Sequence, residues 1–455
     1  MSFTAETVFE QLQGSSPGSR FAVAYSGGLD STVLLYAMHQ ALALFNARHG
    51  AAEPFALRAI HVNHGLSPAA DRWQALCAQT CARLGIPLHS ERVEIALTAG
   101  ASLERLAREK RYAVFACQLA ADECLLMAHH LDDQAETFLL RSLRGAGPKG
   151  LSAIPLRRPL GQGHLLRPLL QIPRSALQAY AEQQGLDWVE DESNDSQLFD
   201  RNYCRHAVLP LLEARWPSYR ESWRRSAQLC DEAAVLLDEL ASLDFEQIKT
   251  PVPTVIDALA LQRLSAARQR NTLRYWLALV GAPAPGWNVL THIVAQLLPA
   301  AGAQPQIRWR GDAGAVVLRR FRKHLYLSPE LPAMVATEPL LWQVPDTLHL
   351  PQNGFIYAQP CLGEGLLVPA GASVTLRYRQ GGESCRLHGR RTRPLKKILQ
   401  DADLVPWLRE RVPLVYCAQE LVCIPGLGVC DGWQAGPQQA GWRVIWMPPD
   451  ASVPR

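Results

Sequence analysis

Along the first 215 residues, short apolar runs alternate with amphipathic stretches. Residues 21–25 form an apolar run of the kind buried on both faces of a parallel sheet. Helical periodicity follows over residues 31–45. The same pairing recurs, with strands expected at 56–62, 87–93 and 124–128 and helices at 71–84, 104–119 and 132–143. Repeated β-α units predict an α/β fold with a doubly wound, mostly parallel sheet. From about Trp216 the texture changes. Residues 219–243 read as a long amphipathic helix, with Leu229, Ala233, Leu236, Leu237 and Leu240 at core spacing. Further helices are expected at 265–280 and 287–298, and a hairpin at 306–327. The pattern predicts an α/β unit over 1–215, a mainly helical domain over 216–330 and a linker over 331–352. A small α+β C-terminal domain over 353–446 follows, then a Pro-rich tail expected to fray.

Composition narrows the class. A chain of 455 residues with 48% hydrophobic and 19% charged residues is too long for one core, and it is neither a disordered chain nor a coiled-coil rod. No stretch approaches the roughly 20 apolar residues of a membrane span. The start carries Glu6 where a secretory signal carries base, so a cytoplasmic protein without membrane contact is expected. The 11 cysteines contain no C-x-x-C pair, Cys77 and Cys81 being the nearest together, which disfavours a zinc ribbon or a clustered iron–sulfur motif. Net charge is +4, but it is not evenly spread. Ten basic residues face four acidic ones between Arg377 and Arg411, so this window carries +6 and the rest of the chain −2. The oligomeric state is left open.

Three polar segments follow predicted strands. Ser26-Gly27-Gly28-Leu29-Asp30-Ser31 joins the first strand to a helix. Such a junction offers exposed amides, glycines that admit a phosphate, and the positive end of a helix dipole. Its hydroxyls and Asp30 suit a divalent cation. It is not a Walker A loop, since the chain holds no Gly-Lys pair. His129-His130-Leu131-Asp132-Asp133-Gln134-Ala135-Glu136 enters a helix at the end of another strand. Its carboxylates share one face of the first turn and suit Mg²⁺, proton transfer or an ammonium group, although Asp133-x-x-Glu136 also reads as a capping box. His61-Val62-Asn63-His64-Gly65-Leu66 ends the second strand at the same sheet edge. Two further polar clusters run over residues 191–195 and 201–205. Residues 145–150 fit G-x-G-x-x-G formally but follow a helix, so they read as a helix stop or a mobile substrate loop, not a dinucleotide site.

These segments together indicate chemistry at a nucleotide α-phosphate. Ser26–Ser31 resembles the PP-loop of the ATP-pyrophosphatase superfamily, a Rossmann-like fold. Within it, the segments at 61–66 and 129–136, Arg144-Gly145, Gly150-Leu151, Arg167-Pro168-Leu169, Asp191-x-Ser193-Asn194 and Arg201-Asn202-x-x-Arg205 closely resemble the tRNA(Ile)-lysidine synthase family. Arg379–Gly382, Leu395–Lys397 and Val405–Arg409 extend the likeness to the C-terminal part. The resemblance implies that ATP adenylates O2 of the wobble cytidine in the CAU anticodon of isoleucine tRNA. Free L-lysine then attacks carbon 2 and expels AMP. It further implies an ATP site at Ser26, Gly27, Gly28, Leu29, Asp30 and Ser31, and Mg²⁺ at Asp30 and Asp132. Lysine is expected at Asp133 and Glu136, with Asp132, His130 and Arg201 completing the catalytic set and Asn194 and Arg205 as candidate phosphate or base contacts. The basic window is the candidate tRNA surface, through Arg390, Arg391, Lys396, Lys397 and Arg409, with Trp407 for stacking.

Three rival readings remain open at this stage. A tRNA thiolase of the same superfamily would need catalytic cysteines. An amidotransferase would need a glutaminase nucleophile, for which no signature is found. A non-catalytic tRNA-binding protein would leave the polar residues of each motif without a use.

Overall fold

A computed structural model describes residues 3–13, 20–49, 55–95, 103–190, 200–299, 305–311, 314–334, 338–369 and 372–449. The chain forms two compact units, Met1–Leu236 and Leu237–Arg455, and the boundary falls inside the helix Tyr219–Ile248.

The first unit begins with α1 (Ala5–Gln13), an element the sequence reading did not foresee, and continues through β1 (Arg20–Ala24), α2 (Leu29–His49), β2 (Ala56–Asn63), α3 (Ala70–Leu84) and β3 (Leu88–Arg92). Then come α4 (Leu103–Gln118), β4 (Glu123–Leu126), α5 (Leu131–Leu143), α6 (Pro148–Leu151), β5 (Arg157–Leu160), β6 (Gly163–Leu166) and α7 (Arg174–Gln183). The strands build one six-stranded sheet in the order β3-β2-β1-β4-β6-β5. All neighbours are parallel except β5, which returns antiparallel from β6 as an edge strand. The apolar runs are buried because helices cover both faces. Phe21 and Val23 of β1 face a core shared with α1, α2, α3 and α7, while Ala22 faces Phe115 of α4 and Leu119 just after it. Strand order reverses between β1 and β4, and in such sheets ligands bind outside the carboxyl ends of the strands at that point.

Residues 145–150 divide into a stop and a start. Gly145 takes φ +70 after α5, and Pro148 opens α6. Arg141 ties the segment down by donating from Nη1 to the carbonyls of Gly150 at 2.7 Å and Ala153 at 2.6 Å.

The second unit contains the remaining helices and strands. Ala266–Leu279 and Trp287–His292 pack with a four-stranded antiparallel sheet made by Val255–Asp257, Gln306–Gly311, Gly314–Phe321 and His324–Pro329. Trp276 is fully buried there. Beyond it lie a five-stranded, a three-stranded and a two-stranded antiparallel sheet with two short helices, Leu395–Asp401 and Pro406–Arg409. Leu340–Trp342 and Leu348–His349, inside the stretch expected to be a linker, are strands of these sheets.

The long helix corrects one expectation. Leu229 is 59% and Leu236 65% exposed, whereas Ala227, Ala234 and Ala241 are buried. Ala233 and Leu240 of the expected set are half-buried, so small residues, and not the leucines at 229 and 236, are the ones this helix buries. No helix among the described residues is long and apolar enough to cross a membrane.

Candidate active site

The Ser26–Ser31 loop leaves β1 and turns directly into α2. Gly27 takes φ +85, a region in which a side chain is strained, and a Cβ there would come within 2.9 Å of Cys77 Sγ. The loop is closed by its own hydroxyls. Ser26 Oγ and Ser31 Oγ lie 3.0 Å apart, Ser31 Oγ donates to the Gly28 carbonyl at 3.0 Å, and Gly28 N donates to Ser26 Oγ at 3.4 Å. Val189 N donates to the Gly27 carbonyl at 2.9 Å and pins the loop from the other side. The result is a preshaped anion cradle at a helix N-terminus. Beneath it, burial pushes the thiols of Cys77 and Cys81 up to about 12 and about 11, so both stay protonated and neither is a nucleophile.

The segment at 129–136 joins β4 to α5 at the same edge. His130 is the N-cap of α5. Asp133 N donates to its Nδ1 at 3.4 Å, and His130 N donates to Asp133 Oδ2 at 3.0 Å. The expected capping box is therefore real, but His130, not Asp133, supplies its first residue. The cap and the site are one arrangement: with Nδ1 accepting from the backbone, Nε2 faces Asp30 Oδ2 at 3.6 Å and Asp133 Oδ2 at 3.5 Å. His130 is only 2% exposed, and its Nδ1 lies 3.8 Å from Asp132 Oδ2. Burial opposes its protonation, yet Asp133, Asp30 and Asp132 together raise its basicity above the ordinary value. His129 is the opposite case. Burial, with Arg167, Arg201 and Arg108 outweighing Asp133, drops its pKa to about 3.

Asp133 and Glu136 are both buried, and each meets arginine. Arg201 donates from Nε to Glu136 Oε2 at 2.7 Å and from Nη2 to Asp133 Oδ1 at 2.5 Å. Arg205 donates from Nε to Glu136 Oε1 at 2.6 Å. The two arginines lie on one face of a helical run in which Asp200–Tyr203 passes into a π-turn, Cys204–Val208. Burial alone would raise the Asp133 carboxyl. His130, Arg201 and His129 overcome it and hold the group at about 2. Two buried acids facing two guanidiniums form a neutral, hydrogen-bonded set, the form in which buried charge is tolerated.

Asp132 points elsewhere. Arg220 Nε donates to its Oδ1 at 2.6 Å, and the amide of Arg174 donates to its Oδ2 at 2.8 Å. Neither partner was foreseen. Arg220 is 88 residues away at the start of an otherwise ordinary amphipathic helix, and nothing local marks it. Asp30 Oδ1 is buried and accepts no hydrogen bond, with the Arg174 guanidinium 3.8 Å away. Asp30 and, on the other side of His130, Asp132 are the carboxylates that could hold a divalent cation, although no group of three or more His, Cys, Asp or Glu side chains is gathered as metal ligands among the described residues.

The segment at 61–66 is mainly structural. His61 Nδ1 lies 2.9 Å from the Tyr25 carbonyl, and Asn63 Nδ2 donates to Asp71 and Gln74, tying β2 to β1 and α3. Residues 191–195, with Asn194, lie outside the described residues.

In the second unit, Arg390, Arg391, Lys396 and Lys397 are all exposed. Arg390 and Arg391 line a cleft of about 300 Å³ with Arg393 and Asp401. Two expectations change here. Arg409 is half-buried, donating to the Leu404 carbonyl at 2.8 Å with its guanidinium 5.8 Å from the Phe321 ring centre. Trp407 is packed edge-on to Tyr326 at 5.4 Å and under Arg319, so its ring is engaged within the fold and is not presented for base stacking.

Comparison with known proteins agrees with this geometry. A family described as the PP-loop domain matches residues 1–212. The TilS substrate binding domain matches 257–326, and the TilS substrate C-terminal domain matches 374–446. The tRNA(Ile)-lysidine synthase of Coxiella burnetii is 43% identical over 98% of this chain and 97% of its own. That of Pseudomonas aeruginosa is 43% identical over 94% of this chain and 93% of its own. A solved tRNA thiolase of Methanococcus maripaludis is 20% identical over 50% of this chain and 77% of its own, with a TM-score of 0.41. With the nucleotide loop, the capped acidic helix and near full-length identity in agreement, the chain belongs to the tRNA(Ile)-lysidine synthase family.

Proposed function

We propose that the Ser26–Ser31 loop holds the polyphosphate of ATP while the acids of α5 present lysine to the activated base. The reaction is that of the family. Cytosine O2 of the CAU anticodon attacks the α-phosphorus and pyrophosphate leaves; the ε-amine of free L-lysine then bonds to carbon 2 and AMP departs with O2. One observation carries the assignment: the buried His130 imidazole lies within 3.8 Å of Asp30 from the nucleotide loop and of Asp132 and Asp133 from α5. Nucleotide and acceptor groups are thus held by one side chain at the strand-order switch.

The loop amides and the Ser26 and Ser31 hydroxyls face the charge that develops on departing pyrophosphate. Asp30 and Asp132 would hold Mg²⁺, which neutralises that charge when bound. Free lysine is almost wholly protonated at neutral pH, its side-chain pKa being about 10.4. Asp133, ionised down to about 2, binds the ammonium group and is too weak a base to keep its proton. Glu136 is the second carboxylate beside it, and Arg201 and Arg205 hold both acids in place. His130 is a positioning residue. We assign tRNA contact to the helical and sheet region 216–330 and to the basic surface within 353–446, with Arg390, Arg391, Lys396 and Lys397 as phosphate contacts. A cytoplasmic location follows from the substrates.

The test is incorporation of labelled L-lysine into a CAU-anticodon isoleucine tRNA transcript with Mg²⁺-ATP. A transcript carrying uridine at the wobble position is the control. Label confined to the cytidine transcript, with AMP and pyrophosphate released, is expected. Pyrophosphate release without label would overturn the assignment of lysine as acceptor partner.

A further inference from the structure

On the sheet face covered by α4, opposite the face on which α2 packs, lies a group of arginines with no carboxylate. Arg167 follows β6 and is 3% exposed. Its Nη1 donates to the Pro155 carbonyl at 2.6 Å, but its Nε is buried with no acceptor. Arg108 of α4 and Arg158 of β5 both lie over the ring of Tyr112, with guanidinium carbons 4.9 and 4.7 Å from its centre. Arg108 Nη2 also donates to the Tyr112 hydroxyl at 3.3 Å, and that hydroxyl donates to Met127 Sδ at 3.5 Å. None of the three arginines makes an ion pair among the described residues.

The rest of the unit shows how unusual this is. Arg58 meets Glu123, Arg201 and Arg205 meet Glu136, and Arg220 meets Asp132. All four have more exposed side chains, from 21% to 36%, and each has its carboxylate. The most buried guanidinium has none. Burial depresses its pKa, and Arg158 and Arg108 add to that against Tyr112. Arginines are rarely buried unpaired, because an uncompensated charge is costly. A planar guanidinium that bonds the Pro155 carbonyl and Tyr112 but leaves its buried Nε–H without an acceptor suits a phosphoryl oxygen.

We propose that Arg108, Arg158 and Arg167, gathered around Tyr112, form a second oxyanion site, separate from the Ser26–Ser31 cradle, that takes a phosphoryl group of a substrate. The chemistry admits two sources: a phosphodiester of the RNA beside the reacting cytidine, or the polyphosphate of ATP. The proposal deepens the function assigned above and rests on it for the identity of these substrates.

The experiment uses the full chain with Arg108→Gln/Arg158→Gln, two positions less buried than Arg167. Binding of an anticodon stem-loop RNA is measured against salt, and binding of Mg²⁺-ATP and of pyrophosphate separately. Loss of about tenfold in RNA affinity, with the salt slope reduced by about 0.7 per lost phosphate contact, supports the site and names RNA as the source. A similar loss confined to ATP or pyrophosphate supports the site and names the polyphosphate. Unchanged affinity for all three overturns it. The single variants Arg108→Gln and Arg158→Gln, each expected to lose part of that affinity, serve if the double variant does not fold. Neither readout needs lysine ligation. A wild-type protein that fails to ligate lysine while the variant still loses an anion would sink the function and leave the site standing.

Discussion

The acidic end of α5 and the basic surface around Arg390 both carry clustered charge, but they handle it in opposite ways. At α5 the charges are buried, opposite in sign and hydrogen-bonded: Glu136 is 1% exposed and receives both Arg201 and Arg205. Around Arg390 the charges are exposed and mostly of one sign, and Lys396, Lys397, Arg390 and Arg391 extend into solvent. Buried pairs are geometrically exact and intolerant of loss. Solvated charges act additively through a field that salt screens. The first arrangement suits a reaction at fixed atoms, the second a long polyanion.

Substitutions can break this comparison. The largest effect is expected from Glu136→Gln, which leaves two guanidiniums facing one buried acid. Stability should fall by about 3–5 kcal/mol in urea unfolding, and lysine ligation should be lost. A loss below about 1 kcal/mol would mean that the pair is not structurally coupled. Next is Gly27→Ala, which forces a side chain into a left-handed backbone and against Cys77. About 1–3 kcal/mol of stability and a weaker ATP affinity are expected. Full ATP affinity in that variant would show that the loop is not preshaped.

Acid should affect the buried region before the surface. His64 and His129 are held neutral in the fold, with pKa values lowered from 6.5 to about 4 and about 3. The unfolded chain therefore binds more protons below pH about 6.5. The stability these residues contribute is present above that value and is lost as pH falls through this window. Asp133, lowered from 3.8 to about 2, adds a later loss between those values. His130 has the opposite sign, since its raised pKa costs stability as pH rises. Urea midpoints measured from pH 7 to 4 should fall, and fall less in His64→Asn; a flat profile would refute the assignment.

The smallest single effects belong to the surface. Neutralising Arg390, Arg391, Lys396 and Lys397 one at a time should change stability by less than about 0.5 kcal/mol. All four together should lower the salt slope of tRNA binding by up to about 3 while ATP affinity holds. An unchanged slope would place the tRNA surface elsewhere.

Much of this was legible in the chain itself. Local rules suffice for the parallel strands, the glycine junction after β1 and the acidic start of α5, because periodicity, helix caps and turns depend on neighbours a few residues away. The leucines of the long helix misled, since amphipathic spacing marks a stripe without saying which stripe finds a partner; Ala227, Ala234 and Ala241 took the inward positions. Trp407 misled similarly: an aromatic beside basic residues suits stacking on a base, but the fold had Tyr326 and Phe321 to pack against it.

The sequence by itself determined the fold class, the family and the residue types gathered at the sheet edge. Only the tertiary structure decided which charge meets which. Arg201 reaches Asp133 across 68 residues and Arg220 reaches Asp132 across 88. Arg167 is buried beside Tyr112 with no acid at hand. Pairing energies of buried ions depend on distance and desolvation, and both are properties of the folded interior that no local spacing encodes.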